Sequence, residues 1–517
     1  MPVSKQRTEL AHYEEVGQDY LEKRKLRPSA GWVLLWALGV GAVISGDFAG
    51  WQTGLLLGGF WGLAAATLLM AVMYVCMVFT IAELSSALPH AGGFFSFTRN
   101  ALGPLGGFLC GLTDTIEYVL TPAVIVYYIG GYLNALVYQD PNLAPAWLAP
   151  VWWVVAYGVF VAINIRGVEL TLKIGLVVTA LAIGVLVVFY VGALATGAFD
   201  AELLFTVEAD PGHSQRGLPH GLFGVFASLP FAIWFYLAIE QLPLAAEESN
   251  NVVRDMPRAL LLGIGTLLVL SLLTLVLNSG VGGGAATIGN SDAPLEEGFR
   301  AVFGLGATSR VLGLVALTGL IASFHTIIYA YGRVLFALSR AGYFPRWISI
   351  TGRQQTPWVA LILGAVVGLG CAAAIEWTQV QNTSTTGGEP SAITTGSVLL
   401  NMAVFGAVIS YAMVMISYIV LRITRPELPR PYRSPLGVPG AVIGAMLSLL
   451  ALAATFSVTQ FRPGVWGVAV FLVIGLAWFL CYSRHHLVAQ APEEEVALLS
   501  EAHQELSRDQ QPTPPTV

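Results

Sequence analysis

Apolar residues in this chain come in runs of roughly twenty, the length that carries a helix across a bilayer. Twelve such runs follow one another, at about 30–57, 59–83, 104–137, 149–166, 168–196, 220–245, 258–281, 308–338, 357–375, 397–424, 437–458 and 463–482. Within hydrocarbon a backbone must satisfy its own polar groups, so each run is expected to be helical. The fold class that follows is an all-α polytopic membrane protein with twelve transmembrane helices. Charged residues make up 11% of the 517, against about 25% in a typical soluble protein. That is too few to clothe a large water-facing surface, which excludes a soluble enzyme.

The 28 residues before the first run are charged, so no cleavable signal peptide is expected. Three units follow: a tail at 1–28, a membrane domain at 29–482, and an acidic tail at 483–517. The second tail reads as a solvated helix with a disordered end. All but four of the 25 lysines and arginines fall on the segments that share a side with the two termini. The four exceptions are Arg216, Arg300, Arg310 and Arg462. By the positive-inside bias, both termini are expected to be cytoplasmic, in a cell membrane crossed many times. Cys76, Cys110, Cys371 and Cys481 sit inside apolar runs without ligand spacing, so they read as packing residues and no metal is expected. No basic aromatic platform suggests nucleic acid.

Two runs are unlike simple anchors. The first holds Gly39, Gly41, Ser45, Gly46 and Asp47 near its middle; glycines disfavour a continuous helix, and an aspartate at that depth is costly outside a polar cavity. The sixth holds Pro230, then Trp234, Phe235, Tyr236 and Glu240, and a helix is expected to break or kink at the proline. First and sixth are matching positions if runs 1–5 (about 29–196) and 6–10 (about 220–424) are repeats. An odd number of crossings per repeat forces the second to be inverted. This gives a 5+5 inverted repeat with broken helices 1 and 6, plus two extra helices at about 437–482. Paired interruptions of this kind point to a central binding site.

Few other ionisable residues lie at depth. Asp114 and Glu117 share the third run with Tyr118, and Asp114 and Tyr118 fall on one helical face. His325 sits mid-run in the eighth and reads either as a hydrogen-bonded interior histidine or as a proton carrier. Glu83 reads as structural, near Arg333 or loop amides.

Three strings now add up to a resemblance. Residues 82–89 (Ala-Glu-Leu-Ser-Ser-Ala-Leu-Pro) followed by Ala91-Gly92-Gly93-Phe94-Phe95 resemble the loop after helix two of the amino acid–polyamine–organocation transporters. Glu247-Glu248 with Arg254-Asp255-Met256-Pro257-Arg258-Ala259 resembles that superfamily's loop after helix six. Residues 331–342, starting Tyr-Gly-Arg-Val, resemble its inner end of helix eight. The strings at 43–51 and 231–240, with Ile321-Ala322-Ser323-Phe324-His325, are similar to the ethanolamine permease family.

That resemblance implies a secondary transporter, a permease or symporter, that imports ethanolamine by alternating access. Amino acid carriers of the superfamily use amides of a Gly-Ser/Thr-Gly-apolar-Phe string to take the substrate carboxylate. Here the string is Ile44-Ser45-Gly46-Asp47-Phe48. A negative charge at Asp47 repels a carboxylate and attracts an ammonium. The implied substrate-binding set is Gly41, Ser45, Gly46, Asp47, Tyr118, Ser228, Trp234, Phe235 and Tyr236. Asp47 is the counter-ion, the helix-six aromatics form a cation-attracting wall, and Ser45, Tyr118 or Ser228 takes the hydroxyl. Gating or coupling candidates are Asp114, Glu117, Glu240 and His325. The lysine that some members carry in helix five falls at Ala182, with Lys173 at the inner edge, so proton, sodium and uncoupled transport all stay open. No cofactor is implied, and the partners are the amine and the lipid bilayer. Alternatives are another amine or an amino acid of the same superfamily and, from a different class, a transporter-like receptor. No phosphate-binding loop, zinc spacing or nucleophile elbow points to an enzyme.

Overall fold

The computed structural model describes residues 11–24, 26, 28–89, 92–138, 144–304, 307–386, 394–495 and 497–499. The outer ends of both tails, Ala91 and parts of the polar gaps at 141–150 and 382–391 lie outside these residues. The chain is all-α and polytopic. Among the described residues ten apolar helices have membrane length, and two shorter ones, Trp32–Asp47 and Gly221–Ile233, supply the first and sixth crossings.

Span 1 is Trp32–Val43, continued by a 3₁₀ turn at Ile44–Asp47. Span 2 is Thr53–Ala87 and span 3 Phe94–Tyr138; span 4 is Leu148–Ile165 and span 5 Val168–Ala195. Span 6 is Gly221–Ile233, followed after a break by a 3₁₀ segment at Ile239–Glu248, and span 7 is Val252–Ser279. Span 8 is Ala307–Arg340, span 9 Trp358–Thr386, span 10 Thr395–Thr424, span 11 Gly437–Ala454 and span 12 Arg462–Cys481. Spans 3, 8 and 10 are mostly buried, whereas spans 4, 9 and 12 turn most of their residues outward. Asp114 and Glu117 lie on that inner set and Asp47 and Glu240 at the broken spans, as expected when polar side chains face a bundle interior and not lipid.

Two boundaries differ from the apolar pattern. The first run extends to residue 57, but the chain turns after Asp47 and re-enters a helix at Thr53. Gly59, at φ 67°, then bends that short piece into span 2, and Gly103, at φ 76°, does the same for the piece at 94–102 ahead of span 3. A side chain resists such positive φ values, so glycine marks both corners.

The face carrying the described parts of both tails is more than a pair of solvated ends. Tyr13–Glu14 pairs in parallel with Leu487–Val488, and Val488 N–H donates to the Ala341 carbonyl at 3.0 Å. Glu493 and Glu494 are fully buried. Arg340 reaches Glu493 and Glu247 at 2.5 Å each, Arg99 reaches Glu494 at 2.7 Å, and Tyr343 donates to Glu494 at 2.7 Å. Burial pushes the Glu493 carboxyl up while Arg340 pulls it down. The expectation of a solvated helix from 483 is therefore overturned for its described part. An acidic run looks soluble until the arginines that receive it are known.

Candidate solute site

The break in span 1 has a visible cause. An α-helix would bond Ser45 N–H to the Gly41 carbonyl, four residues back. Instead Ser45 N–H donates to Ser323 Oγ at 2.8 Å, and Ser323 donates to the Gly41 carbonyl at 2.8 Å. A hydroxyl from span 8 is thus inserted into the ladder of span 1, a recognised way to interrupt a helix. Gly39 and Gly41 stay inside the regular helix. Their role is close approach: a Cβ on Gly41 would stand 2.3 Å from Thr179 Oγ1 of span 5. Gly46 lies where the two broken spans cross, its would-be Cβ 2.3 Å from the Trp234 carbonyl oxygen.

Asp47 ends the 3₁₀ turn and is buried. Its Oδ1 accepts from Thr274 Oγ1 of span 7 at 2.8 Å, and Oδ2 is buried with no partner. Among the described residues no lysine, arginine or histidine forms an ion pair with it. Behind Thr274, the Tyr190 hydroxyl of span 5 lies 2.6 Å away.

Span 6 also breaks, but not at its proline. Pro230 sits within the regular helix, and the chain departs from it after Ile233, where both Tyr236 and Leu237 bond the same carbonyl. Ala238 is left-handed at φ 84°, and its N–H donates to Glu240 Oε1 at 2.9 Å. The missing amide of Pro230 costs one bond locally, whereas the side-chain cap from Glu240 holds an unfavourable backbone turn a few residues later. The three aromatics at the break are fixed separately. Trp234 Nε1 donates to the Ala49 carbonyl at 2.9 Å. Phe235 stacks on Trp51 at 5.5 Å between centroids. Tyr236 donates to or accepts from Ser271 Oγ at 2.9 Å and leans on Tyr74. Ser228 has its hydroxyl on the Gly54 and Gly224 carbonyls, at 3.0 and 2.8 Å. It joins span 6 to the start of span 2 and has no proton left for a solute.

Deeper along span 6 lies a cluster of acids. The Tyr411 hydroxyl of span 10 is 2.7 Å from Glu240 Oε1 and 3.2 Å from Glu117 Oε1, and Tyr74 donates to it at 3.1 Å. Asp114 and Tyr118 flank Glu117 on span 3, both buried. Asp114 Oδ1, Glu117 Oε2 and Glu240 Oε2 have no partner. His325 lies apart from this cluster. Its Nε2 is 2.9 Å from the Thr171 carbonyl, which can only accept, so Nε2 carries the proton. Nδ1 then accepts from Asn164 Nδ2 at 3.2 Å. Both nitrogens are satisfied by spans 4 and 5, the arrangement of a structural histidine. Ala182 is buried, and Lys173 is an exposed partner of Glu169 at 2.7 Å. Glu83 is structural and accepts from a loop amide, that of Ser434 at 2.8 Å; its charge partners are Arg422 at 2.6 Å and Arg430 at 3.1 Å, while Arg333 pairs with Glu248 at 2.7 Å.

Thr274, Ser271, Tyr190, Ser323 and Tyr411 carry no charge, and a search for ionisable residues in apolar runs passes over them. Ser271 and Thr274, three apart in a leucine-rich run, were the available signal, since that spacing puts two hydroxyls on one helical face.

The family model described as amino acid permease matches residues 31–479. An uncharacterised transporter of Rhizobium meliloti is 30% identical over 65% of this chain and 70% of its own length. A branched-chain amino acid permease of Bacillus subtilis is 25% identical over 90% of this chain and 95% of its own. A methylthioribose transporter of the same bacterium is 24% identical over 87% and 92%.

Proposed function

This chain belongs to the amino acid permease family, and we propose that the solute it carries is a small amine without a carboxylate, such as ethanolamine. It is a transporter and not an enzyme. The named relatives carry solutes as unlike as branched-chain amino acids and methylthioribose at 24–25% identity, so similarity at this level leaves the solute to be read from the site.

One observation carries the reading. Asp47 presents a buried, unpartnered carboxylate oxygen at the break of span 1, where among the described residues no side-chain base pairs with it. A free carboxylate there favours a cation and disfavours an anion. The Ser45 amide, one of the donors that a carboxylate-binding site of this superfamily would use, already bonds Ser323. Aromatic rings beside the break add about 0.5–2 kcal/mol each for an ammonium that meets their faces. Ser45 and Tyr118 are the hydroxyls left to meet a solute hydroxyl.

In this reading spans 1 and 6 move around the site while the termini face, taken as cytoplasmic, closes and opens. Glu117 and Glu240, joined by Tyr411, are the coupling candidates, with Asp114 beside them; His325 serves packing. The second reading, an amino acid solute, is favoured by the relatives that carry amino acids.

Uptake of labelled ethanolamine into proteoliposomes separates the two, with choline, alanine and putrescine as unlabelled competitors. Saturable uptake blocked chiefly by ethanolamine analogues supports the amine. Absence of uptake, or strong competition by alanine, removes it in favour of an amino acid.

A further inference from the structure

Asp47 lies at a point where its own helix has lost its regular bonds, so what aims its carboxylate must come from elsewhere. The hydrogen-bond accounting points to span 7. A hydroxyl has one proton to give. Thr274 gives its proton to Asp47 Oδ1 at 2.8 Å. Tyr190, 2.6 Å from Thr274 Oγ1, must then be the donor in that pair, its single proton shared with the Leu270 carbonyl at 3.2 Å. The result is a directed line, Tyr190 to Thr274 to Asp47. One turn toward the termini face, Ser271 gives its proton to the Leu268 carbonyl at 3.2 Å. Tyr236 of the broken span 6 therefore donates to Ser271.

Several buried threonines in other spans do something different, although Thr179 donates to the Ala37 carbonyl of span 1 and Thr395 to Glu376 of span 9. Thr80, Thr121 and Thr326 each donate to the carbonyl four residues back in their own helix, the usual local satisfaction of such a hydroxyl. Thr274 instead spends its proton on a side chain of another span. Ser271 and Thr274 lie about 4.5 Å apart along the helix axis at 1.5 Å per residue, on the same side. A single continuous helix thus holds one side chain from each broken span.

We propose that this face of span 7 is the positioning element of the solute site, setting the preference for an ammonium group. Thr274, backed by Tyr190, aims Asp47 so that Oδ2 stays bare. Ser271 sets the ring of Tyr236 beside it. Functional side chains need support from rigid elements to keep their geometry, and neither broken span can supply it at its own interruption. The proposal rests on the reading that Asp47 is the counter-ion of the amine.

The test measures KM and Vmax for labelled ethanolamine in proteoliposomes, with the full chain and with Thr274→Val, Thr274→Ser, Tyr190→Phe, Ser271→Ala and Asp47→Asn. Loss of one hydrogen bond to a charged group predicts a KM raised roughly tenfold in Thr274→Val, with Vmax little changed. Thr274→Ser, which keeps the hydroxyl, is expected to restore it, and a merely packing threonine would not show that pattern. Tyr190→Phe and Ser271→Ala are expected to raise KM by smaller factors, on the order of threefold each, for the more distant or neutral bond. Should Thr274→Val fail to reach the membrane, Tyr190→Phe decides alone. An unchanged KM in Thr274→Val, or in Tyr190→Phe in that case, while Asp47→Asn abolishes uptake, overturns the positioning role and leaves the amine reading standing. Normal uptake by Asp47→Asn, or none by the unaltered chain, overturns both.

Discussion

Glu83, Glu248, Glu493 and Glu494 toward the termini face are as deeply buried as Asp47, Asp114, Glu117 and Glu240 in the interior. Each of the first group meets an arginine: Arg422 and Arg430, Arg333, Arg340 and Arg99 respectively. Among the described residues no ion pair forms in the second group, whose partners are hydroxyls and one backbone amide, and each member keeps an oxygen without a partner. On the proposed function, the difference separates closure from transport. Arginine-paired acids join the ends of spans 2, 3, 8 and 10 on this face to the segment after span 6 and to the C-terminal segment. Bare acids stand where spans 1 and 6 break and where spans 3, 6 and 10 meet. An acid at the centre of a membrane helix costs about 2.5–3.5 kcal/mol on insertion scales. Among the described residues arginines pair the buried acids at the rim and none pairs those in the interior, whose bare oxygens are, on the proposed function, the ones open to a mobile cation.

The comparison can be broken from either side. The largest effect is expected at Asp47→Asn, which removes the charge and keeps the shape. Ethanolamine uptake should fall by roughly two orders of magnitude or more, an amount set by losing a charge-assisted contact in a dry site, while insertion and thermal stability are retained. Arg333→Met should do the reverse. It strands Glu248, which also receives the Tyr329 hydroxyl, and breaking a buried pair this way costs about 3–5 kcal/mol. Thermal unfolding in detergent would show it as a lowered midpoint. Glu493→Gln should cost less, about 1–3 kcal/mol, because Glu247 still holds Arg340. Faster proteolysis near residue 490, with uptake KM unchanged, is the expected sign. Lys173→Ala, in the exposed pair with Glu169, should change stability by no more than about 0.5 kcal/mol. A large loss there would show that pairing at this face matters even in water.

Much of this architecture is legible in the sequence because hydrocarbon imposes a length and a composition on each crossing. The interruptions of spans 1 and 6 are legible too, from the glycines beside Asp47 and from Pro230, although the residues that cause them differ from these obvious ones. Pro230 is accommodated in a helix, and the break in span 1 belongs to Ser323, a hydroxyl 282 positions away from Gly41. The C-terminal acids mislead for the same reason: Glu494 finds Arg99 across 395 positions. Periodicity reports what a segment does by itself. It says little about which distant side chain enters a backbone ladder or neutralises a tail, and Thr274 is silent in the same way.

The most direct measurement sets Asp47→Asn beside Glu248→Gln, recording ethanolamine KM and thermal midpoint for each. The account predicts opposite responses: Asp47→Asn loses measurable ethanolamine uptake at an unchanged or higher midpoint, and Glu248→Gln lowers the midpoint with KM nearly unchanged. Loss of stability without loss of uptake in Asp47→Asn would make that acid one more structural residue and contradict the division of roles.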